Sequence, residues 1–155
     1  MLSLRICLSF KSPLINVIKN LTCCLIDDDL EDLEILRVTI SKIKKSIHCL
    51  PFSSIIHALS ILKLKEDILP DYIFLDINMA LMDGKEAIVE IKKIPRLSTV
   101  PIVMYTISTS FSDIHETKKM GADYYFVKPR CLKFLEDKLD KLFSNQLETF
   151  LIKQN

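Results

Sequence analysis

The sequence contains very little glycine, with Gly84 and Gly121 as the only two among 155 residues. Loops that wrap around nucleotide phosphates need several closely spaced glycines, because a side chain would keep the backbone away from the phosphate. Two isolated glycines cannot form such a loop. We therefore exclude a P-loop nucleotide site and a dinucleotide-binding fold.

The sequence also has no marked excess of basic over acidic residues, or of acidic over basic residues. The 21 basic residues nearly balance the 20 acidic residues, which leaves a formal net charge of +1 at pH 7. Proteins that bind nucleic acid or anionic membrane surfaces usually carry a clear excess of Lys and Arg. We therefore expect neither nucleic acid nor a membrane among the partners.

The sequence also lacks an apolar run long enough to cross a bilayer, which takes about 18 consecutive apolar residues. Near the N-terminus, Lys11, Ser12 and Pro13 interrupt the apolar residues. A secretory signal would need an uninterrupted apolar region and a clear small-residue cleavage site. We therefore interpret residues 1–20 as an N-terminal extension whose structure the sequence does not predict.

The five cysteines form no CxxC pair and no zinc-type spacing with the three histidines. An odd number of cysteines without a disulfide framework is typical of a reducing compartment, so we expect a cytoplasmic protein. Free cysteine commonly packs like a small apolar residue, and we predict buried thiols. The cysteines are Cys7, Cys23, Cys24, Cys49 and Cys131.

Five short apolar runs alternate with five segments of helical periodicity. The runs cover residues 21–26, 47–52, 72–77, 100–106 and 123–127. This alternation predicts right-handed crossovers and one parallel sheet with helices on both faces. We expect one α/β domain over residues 21–143 and a C-terminal tail over residues 144–155. That division leaves no room for a DNA-binding or catalytic output domain.

Polar side chains stand at the ends of four of these runs. They are Asp27 and Asp28 after the first run, Asp76 in the third, Thr106 in the fourth and Lys128 after the fifth. Because ligands of open parallel sheets bind beyond the carboxyl ends of the strands, we expect these side chains to meet. Clustered carboxylates repel one another unless a cation lies among them, and Mg²⁺ prefers such oxygen ligands. A carboxylate beside a metal ion and a lysine can take up a phosphoryl group, so the set predicts phosphoryl transfer to Asp76.

Each of these residues alone has an ordinary structural explanation. Asp27, Asp28 and Asp29 could cap a helix. A threonine suits a strand by propensity, and a lysine before a proline could be a solvated turn residue. These ordinary explanations must hold at all positions at once, whereas a single phosphoryl-accepting site explains the positions together.

Four segments taken together resemble a known family. LIDDD, FLDINMALMDG, VPIVMYT and GADYYFVKP occur in this order, with 30 positions from Asp76 to Thr106 and 22 from Thr106 to Lys128. They resemble the receiver domains of bacterial response regulators over about residues 21–142. The resemblance implies a flavodoxin-like, doubly wound α/β fold with a five-stranded parallel sheet, strand order 2-1-3-4-5, and five helices.

The resemblance also implies roles for single residues. Asp76 would be the phosphoacceptor. Asp28 would ligate Mg²⁺ directly, and Asp27 would contribute through a water molecule. Asp76 and the backbone carbonyl of Asn78 would be further ligands of the ion. Lys128 would pair first with Asp76 and then with the phosphoryl oxygens.

A conformational switch in the fourth and fifth strands is implied as well. Thr106 would hydrogen-bond the bound phosphoryl group, and Tyr125 would turn inward when Thr106 moves. An ordinary half-buried position for Tyr125 remains the alternative, because an aromatic residue in a strand needs no special reason. The peptide bond from Lys128 to Pro129 would be cis.

The sequence departs from the family pattern at two positions. Ala80 stands where the family usually has a proline after the phosphoacceptor, which predicts a slightly looser loop. Ile107 follows Thr106, where a small residue is usual. Its larger side chain predicts narrower access to the site and slower phosphoryl exchange.

The predicted function is that of a stand-alone response regulator receiver. It would take a phosphoryl group on Asp76 from a histidine kinase or a histidine phosphotransfer protein. It would not be an enzyme, although it would take part in its own phosphotransfer and autodephosphorylation. An unknown downstream protein would bind the face formed by the fourth helix, the fifth strand and the fifth helix. The alternative is a receiver-like interaction module that works without phosphorylation, although such modules usually lack one of these site residues.

Two other classes of protein fit the sequence less well. A flavodoxin-like cofactor binder would bring a phosphate to an acidic crevice that repels it. A hydrolase with an aspartyl nucleophile would need a general-acid aspartate shortly after Asp76, and Asn78 stands at that offset.

Overall fold

The computed structural model describes residues 20–154 of the chain. Within this range the strands are β1 (Thr22–Ile26), β2 (His48–Phe52), β3 (Tyr72–Leu75), β4 (Ile102–Thr106), β5 (Tyr124–Val127) and β6 (Leu151–Ile152). The α-helices are α1 (Leu30–Ile43), α2 (Ile55–Leu64), α3 (Gly84–Lys92), α4 (Phe111–Met120) and α5 (Leu132–Phe143). None of these helices is both long enough and apolar enough to span a bilayer. The predicted N-terminal extension lies, except for its last residue, outside the described residues.

All six strands belong to one parallel sheet with the order β2-β1-β3-β4-β5-β6. The order of the first five strands and the presence of five helices confirm the fold predicted from the sequence. After α5 the chain turns back and adds β6 along the edge of β5, with Leu151 opposite Tyr125. The segment that was predicted to be only a tail therefore contributes a sixth strand.

Polar side chains and one glycine fix where the helices begin and end. Asp29, Ser54 and Asp83 cap α1, α2 and α3 by accepting hydrogen bonds from backbone N–H groups of the first turn. Gly121 ends α4 in the left-handed conformation, with φ of 105°. The first two helices begin just beyond the carboxyl ends of the strands that precede them, whereas a longer loop separates β3 from α3.

Apolar side chains pack on both faces of the sheet. One core lies against α2 and α3, and the other lies against α1 and α5. The neighbouring residues Cys23 and Cys24 of β1 point into opposite cores and are both fully buried. Burial on both faces explains why β1, β3, β4 and β5 read as short apolar runs in the sequence. The edge strand β2 has no buried residue.

The predicted burial of the cysteines is confirmed only in part. Cys23 and Cys24 are buried, Cys49 is half-buried, and Cys7 lies outside the described residues. Desolvation raises the pKa of the Cys23 and Cys24 thiols, which makes them unreactive. For Cys131 the prediction is wrong: it is exposed, because it occupies the N-cap position of α5 at the surface.

Candidate functional site

Four strands deliver polar side chains to the same edge of the sheet. Asp27 follows β1, Asp76 follows β3, Thr106 ends β4 and Lys128 follows β5. Backbone hydrogen bonds hold these strand ends together: the Asp76 N–H donates to the Ile26 carbonyl at 3.0 Å, and the Lys128 N–H donates to the Thr106 carbonyl at 2.8 Å. The structure thus brings these side chains to one edge of the sheet, as expected from their positions at the ends of the apolar runs.

Three carboxylates form the centre of this site. One oxygen atom from each of Asp27, Asp28 and Asp76 lies within 4.8 Å of the others. Asp27 and Asp76 are buried, whereas Asp28 is exposed. The Asp28 Oδ2 atom accepts a hydrogen bond of 2.8 Å from the backbone N–H of Ala80. This bond connects the loop after β3 to the three carboxylates, which we call the acidic group.

Lys128 brings a cation to the site and contacts three carboxylates. Its Nζ atom lies 2.7 Å from Asp27 Oδ2, 2.7 Å from Asp32 Oδ2 and 3.7 Å from Asp76 Oδ1. The predicted pairing with Asp76 is therefore the longest of the three contacts. Sequence reasoning missed Asp32. Its only signal was an acidic residue in the first turn of α1, which the helix dipole already explains.

The peptide bond from Lys128 to Pro129 is trans, and residues 20–154 contain no cis peptide bond. The prediction of a cis bond at this position is therefore wrong. The trans isomer is the one that an X–Pro bond prefers, by about 0.5–1 kcal/mol. With this isomer the Lys128 ammonium reaches both Asp27 and Asp76.

Burial and neighbouring charges shift the pKa values of Asp27, Asp76 and Lys128. Desolvation raises the pKa of Asp76, although the Lys128 charge and the Thr106 hydroxyl oppose the shift. Desolvation likewise raises the pKa of Asp27 against the hydrogen bond from Lys128. Burial alone would lower the pKa of Lys128, but its hydrogen bonds to Asp27 and Asp32 outweigh burial and raise it. Burial is therefore the main cause of the raised pKa of both buried carboxyl groups.

One atom of the site has no hydrogen-bond partner within the described part of the chain. The Oδ1 atom of Asp76 is buried and accepts no hydrogen bond, and Lys128 Nζ lies 3.7 Å away. Leaving a buried carboxylate oxygen without a donor is costly. A hard divalent cation held jointly by Asp27, Asp28 and Asp76 would bring positive charge close to this atom, since each of the three residues offers an oxygen ligand.

The loop after β3 approaches the acidic group closely. A Cβ atom at Gly84 would lie 2.2 Å from the backbone oxygen of Asp76, so this position accepts only glycine. The N–H of Ala80 donates to Asp28, a bond that a proline at this position could not form. Asn78, whose carbonyl was predicted to be a metal ligand, is exposed in this loop.

Thr106 and Tyr125 share Ser108 as a hydrogen-bond partner. Thr106 is fully buried, and its Oγ1 atom accepts a hydrogen bond of 3.3 Å from the Ser108 N–H. Tyr125 is also fully buried, and its hydroxyl donates to the Ser108 carbonyl at 3.0 Å. Tyr125 is therefore turned inward, and the alternative of a half-buried ring is wrong. Between Thr106 and Ser108, Ile107 is 70% exposed and lines a cavity together with Lys128.

Comparison with known proteins identifies related sequences. A sequence model of the family described as response regulator receiver domain matches residues 23–140, more than half of the chain. Response regulator Rcp1 from Synechocystis sp. is 35% identical over 80 residues, which cover 52% of this chain and 54% of that protein. Chemotaxis protein CheY-3 from Vibrio cholerae is 35% identical over 73 residues, which cover 47% of this chain and 56% of that protein. The chain thus spans about half the length of these curated relatives.

Solved structures share the fold. The phosphorylated cyanobacterial phytochrome response regulator RcpA matches with a TM-score of 0.71 and 22% identity, over 81% of this chain and 92% of that chain. The Mn(2+)-bound form of response regulator Rcp1 matches with a TM-score of 0.69 and 24% identity, over 86% of this chain and 99% of that chain. At these identities the likeness shows the fold alone.

Proposed function

The chain belongs to the response regulator receiver-domain family, and on that premise we propose that it is a phosphorylation-controlled switch in which Asp76 accepts the phosphoryl group. One observation carries the proposal. The Asp76 Oδ1 atom is a buried carboxylate oxygen that accepts no hydrogen bond within the described residues and lies 3.7 Å from the Lys128 ammonium. An anionic oxygen without a donor keeps its lone pairs available for attack on phosphorus.

The proposed donor is a phosphohistidine of a histidine kinase or a histidine phosphotransfer protein. The Asp76 carboxylate oxygen attacks phosphorus and forms a P–O bond, while the P–N bond to the donor imidazole breaks and the imidazole takes up a proton. Later, water attacks the same phosphorus, inorganic phosphate leaves and the Asp76 carboxylate is restored. The protein turns over no separate substrate in this scheme, so we propose that it is not an enzyme in the ordinary sense.

Two side chains beside Asp76 would stabilise the transferred group. Lys128 is the cation closest in the described contacts to Asp76, so we assign it to the phosphoryl oxygens, where negative charge increases. Thr106 is buried at the end of β4, and its hydroxyl opposes the rise in the pKa of Asp76. After phosphorylation the same hydroxyl would donate to a phosphoryl oxygen.

We propose Mg²⁺ as the cation of the acidic group. Asp27, Asp28, Asp76 and the backbone carbonyl of Asn78 would hold it, since Mg²⁺ prefers oxygen ligands. When bound, the ion supplies positive charge against the phosphoryl oxygens. The solved Mn(2+)-bound form of Rcp1 has the same fold, which supports a divalent ion at such a site.

The signal would leave the molecule by protein contact. The Ser108 N–H donates to Thr106, and the Ser108 carbonyl accepts from Tyr125. A phosphoryl group that binds the Thr106 hydroxyl would therefore act on Tyr125 through Ser108. We propose that a downstream protein binds the face formed by α4, β5 and α5. We also propose a cytoplasmic location, because the buried free thiols of β1 suit a reducing compartment.

Phosphorylation with acetyl phosphate and Mg²⁺, measured by intact mass, tests the proposal. The wild-type protein is expected to gain one phosphoryl group, and both EDTA and the Asp76→Asn substitution are expected to abolish the gain. Asp67→Asn is the matched control, because Asp67 is exposed near the opposite end of β3. Folded wild-type protein that binds Mg²⁺ but gains no phosphoryl group would contradict the proposal and favour an interaction module that works without phosphorylation.

A further inference from the structure

The segment that forms β6 brings an aromatic side chain against Tyr125. The Tyr125 N–H donates to the Phe150 carbonyl at 2.7 Å, and the two ring centroids lie 6.2 Å apart. The Lys118 ammonium of α4 lies 5.0 Å from the centroid of the Phe150 ring. Phe150 therefore contacts both the strand that carries Tyr125 and the helix beside that strand.

The segment around this aromatic residue is anchored on both sides. Leu151 packs against the core that contains Tyr125, and Ile152 packs into the opposite core, where it is 4% exposed. Beyond β6, the Gln154 Oε1 atom accepts a hydrogen bond of 3.2 Å from the Cys131 N–H. Packing into two cores together with backbone pairing holds the segment in one register against β5.

We propose that Phe150 is a positioning residue that holds Tyr125 in its inward orientation. A Tyr125 ring that left the core past the edge of β5 would have to displace the Phe150 ring. While the ring is inside, its hydroxyl donates to Ser108, and the Ser108 N–H donates to Thr106. Phe150 thus acts on the loop beside Asp76 through Tyr125, without touching the reacting atoms.

This arrangement favours the inward orientation of Tyr125 through contacts that involve no phosphoryl group. Without the aromatic contact, the inward orientation depends on the core packing and on the hydrogen bond to Ser108. The contact between the two rings corresponds to a shift of about three- to tenfold in the ratio of inward to outward rings. The regulatory meaning of this shift depends on the proposed function, whereas the shift itself does not.

Ring NMR signals of Tyr125 in the unphosphorylated, full-length protein test the proposal. The signals are assigned with the variant Tyr125→Phe. Phe150→Ala is expected to move them toward the values of a solvent-exposed ring and to lower the inward-to-outward ratio by about three- to tenfold. Phe150→Leu is expected to give a smaller shift in the same direction, and Phe150→Tyr, which keeps a ring, is expected to give none. Phe111→Ala is the matched control, because Phe111 is 80% exposed on α4 and stacks on His115.

The signals of Tyr72 and Tyr105, which belong to the opposite core, report whether each variant is folded. A folded Phe150→Ala protein whose Tyr125 signals match those of the wild type would overturn the proposal. If that variant does not fold, unchanged Tyr125 signals in Phe150→Leu would overturn it instead. Because no phosphoryl group is present, either result is independent of whether Asp76 accepts one.

Discussion

The Lys128 ammonium lies 2.7 Å from the Asp32 carboxylate, which is as close as its contact with Asp27 and closer than its 3.7 Å contact with Asp76. Asp32 therefore competes with Asp76 for the same cation. Its side chain is also more accessible than those of Lys128, Asp27 and Asp76, so it can be changed without opening the core.

Asp32→Asn is expected to weaken Mg²⁺ binding. The substitution removes a negative charge near the acidic group, and it lets Lys128 move toward Asp76, where its positive charge opposes a metal ion. We expect the dissociation constant for Mg²⁺ to rise by about fivefold, measured by isothermal titration calorimetry. Asp137→Asn, at an exposed position on α5, is the control and is expected to leave binding unchanged. Mg²⁺ binding by Asp32→Asn that is equal to or tighter than that of the wild type would contradict this account.

Asp76→Asn is expected to stabilise the fold at neutral pH. Desolvation raises the pKa of Asp76 in the folded chain, so the folded state binds this proton more tightly than the unfolded state. The cost of the buried charge is full above the folded pKa and disappears as the pH falls toward the ordinary value of 3.8. Urea denaturation should show a gain of about 1–3 kcal/mol at pH 7 that shrinks with falling pH.

The control for that measurement is Asp67→Asn at an exposed position, which should change the free energy of unfolding by less than about 0.5 kcal/mol. A loss of stability in Asp76→Asn at pH 7, or a gain that grows on acidification, would show that the Asp76 charge is well compensated in the folded protein.

Gly84→Ala is expected to disrupt the site through the backbone. The added Cβ atom would meet the Asp76 backbone oxygen at 2.2 Å, so the end of β3 and the start of α3 would have to separate. Gly121→Ala makes a matched comparison, because its Cβ atom has space but its φ of 105° is unfavourable for alanine. We expect both variants to lose about 1–3 kcal/mol of stability. Only Gly84→Ala should lose Mg²⁺ binding, and intact Mg²⁺ binding in that variant would refute the steric argument.

Ile107→Ala is expected to shorten the lifetime of the phosphoryl group. Ile107 is 70% exposed and lines a cavity with Lys128, so a smaller side chain gives water easier access to phosphorus. A barrier lower by about 1 kcal/mol corresponds to hydrolysis about fivefold faster, measured as loss of the phosphoryl mass with time. Leu64→Ala, at an exposed position at the end of α2, is the control. Equal half-lives for Ile107→Ala and the wild type would exclude a role of Ile107 in shielding the site.

The fold and the grouping of the site residues could be predicted because both depend on where strands end. A buried strand produces a short apolar run, and the first polar residue after it marks the carboxyl end, as with Asp27 after β1. The β6 strand could not be predicted in this way. Leu151 and Ile152 form too short a run, and they become a strand only because the edge of β5 offers backbone partners.

The details of the site depend on distances that a sequence does not contain. The Asp32 carboxylate comes from α1 and meets a lysine 96 positions later in the chain. The inward orientation of Tyr125 likewise depends on a neighbour outside its own strand, the Ser108 carbonyl. The family pattern alone led to a wrong prediction for the bond before Pro129, where the structure has the isomer that X–Pro bonds ordinarily prefer.

The location of the phosphoryl group is the central claim, since three carboxylates lie within 4.8 Å of one another. Borohydride reduces an acyl phosphate and converts the aspartate that carries it into homoserine, which peptide mass spectrometry can locate. After phosphorylation with acetyl phosphate, we predict homoserine at position 76 alone. Homoserine at position 27 or 28, or none in protein that carries a phosphoryl group, would contradict Asp76 as the phosphoacceptor.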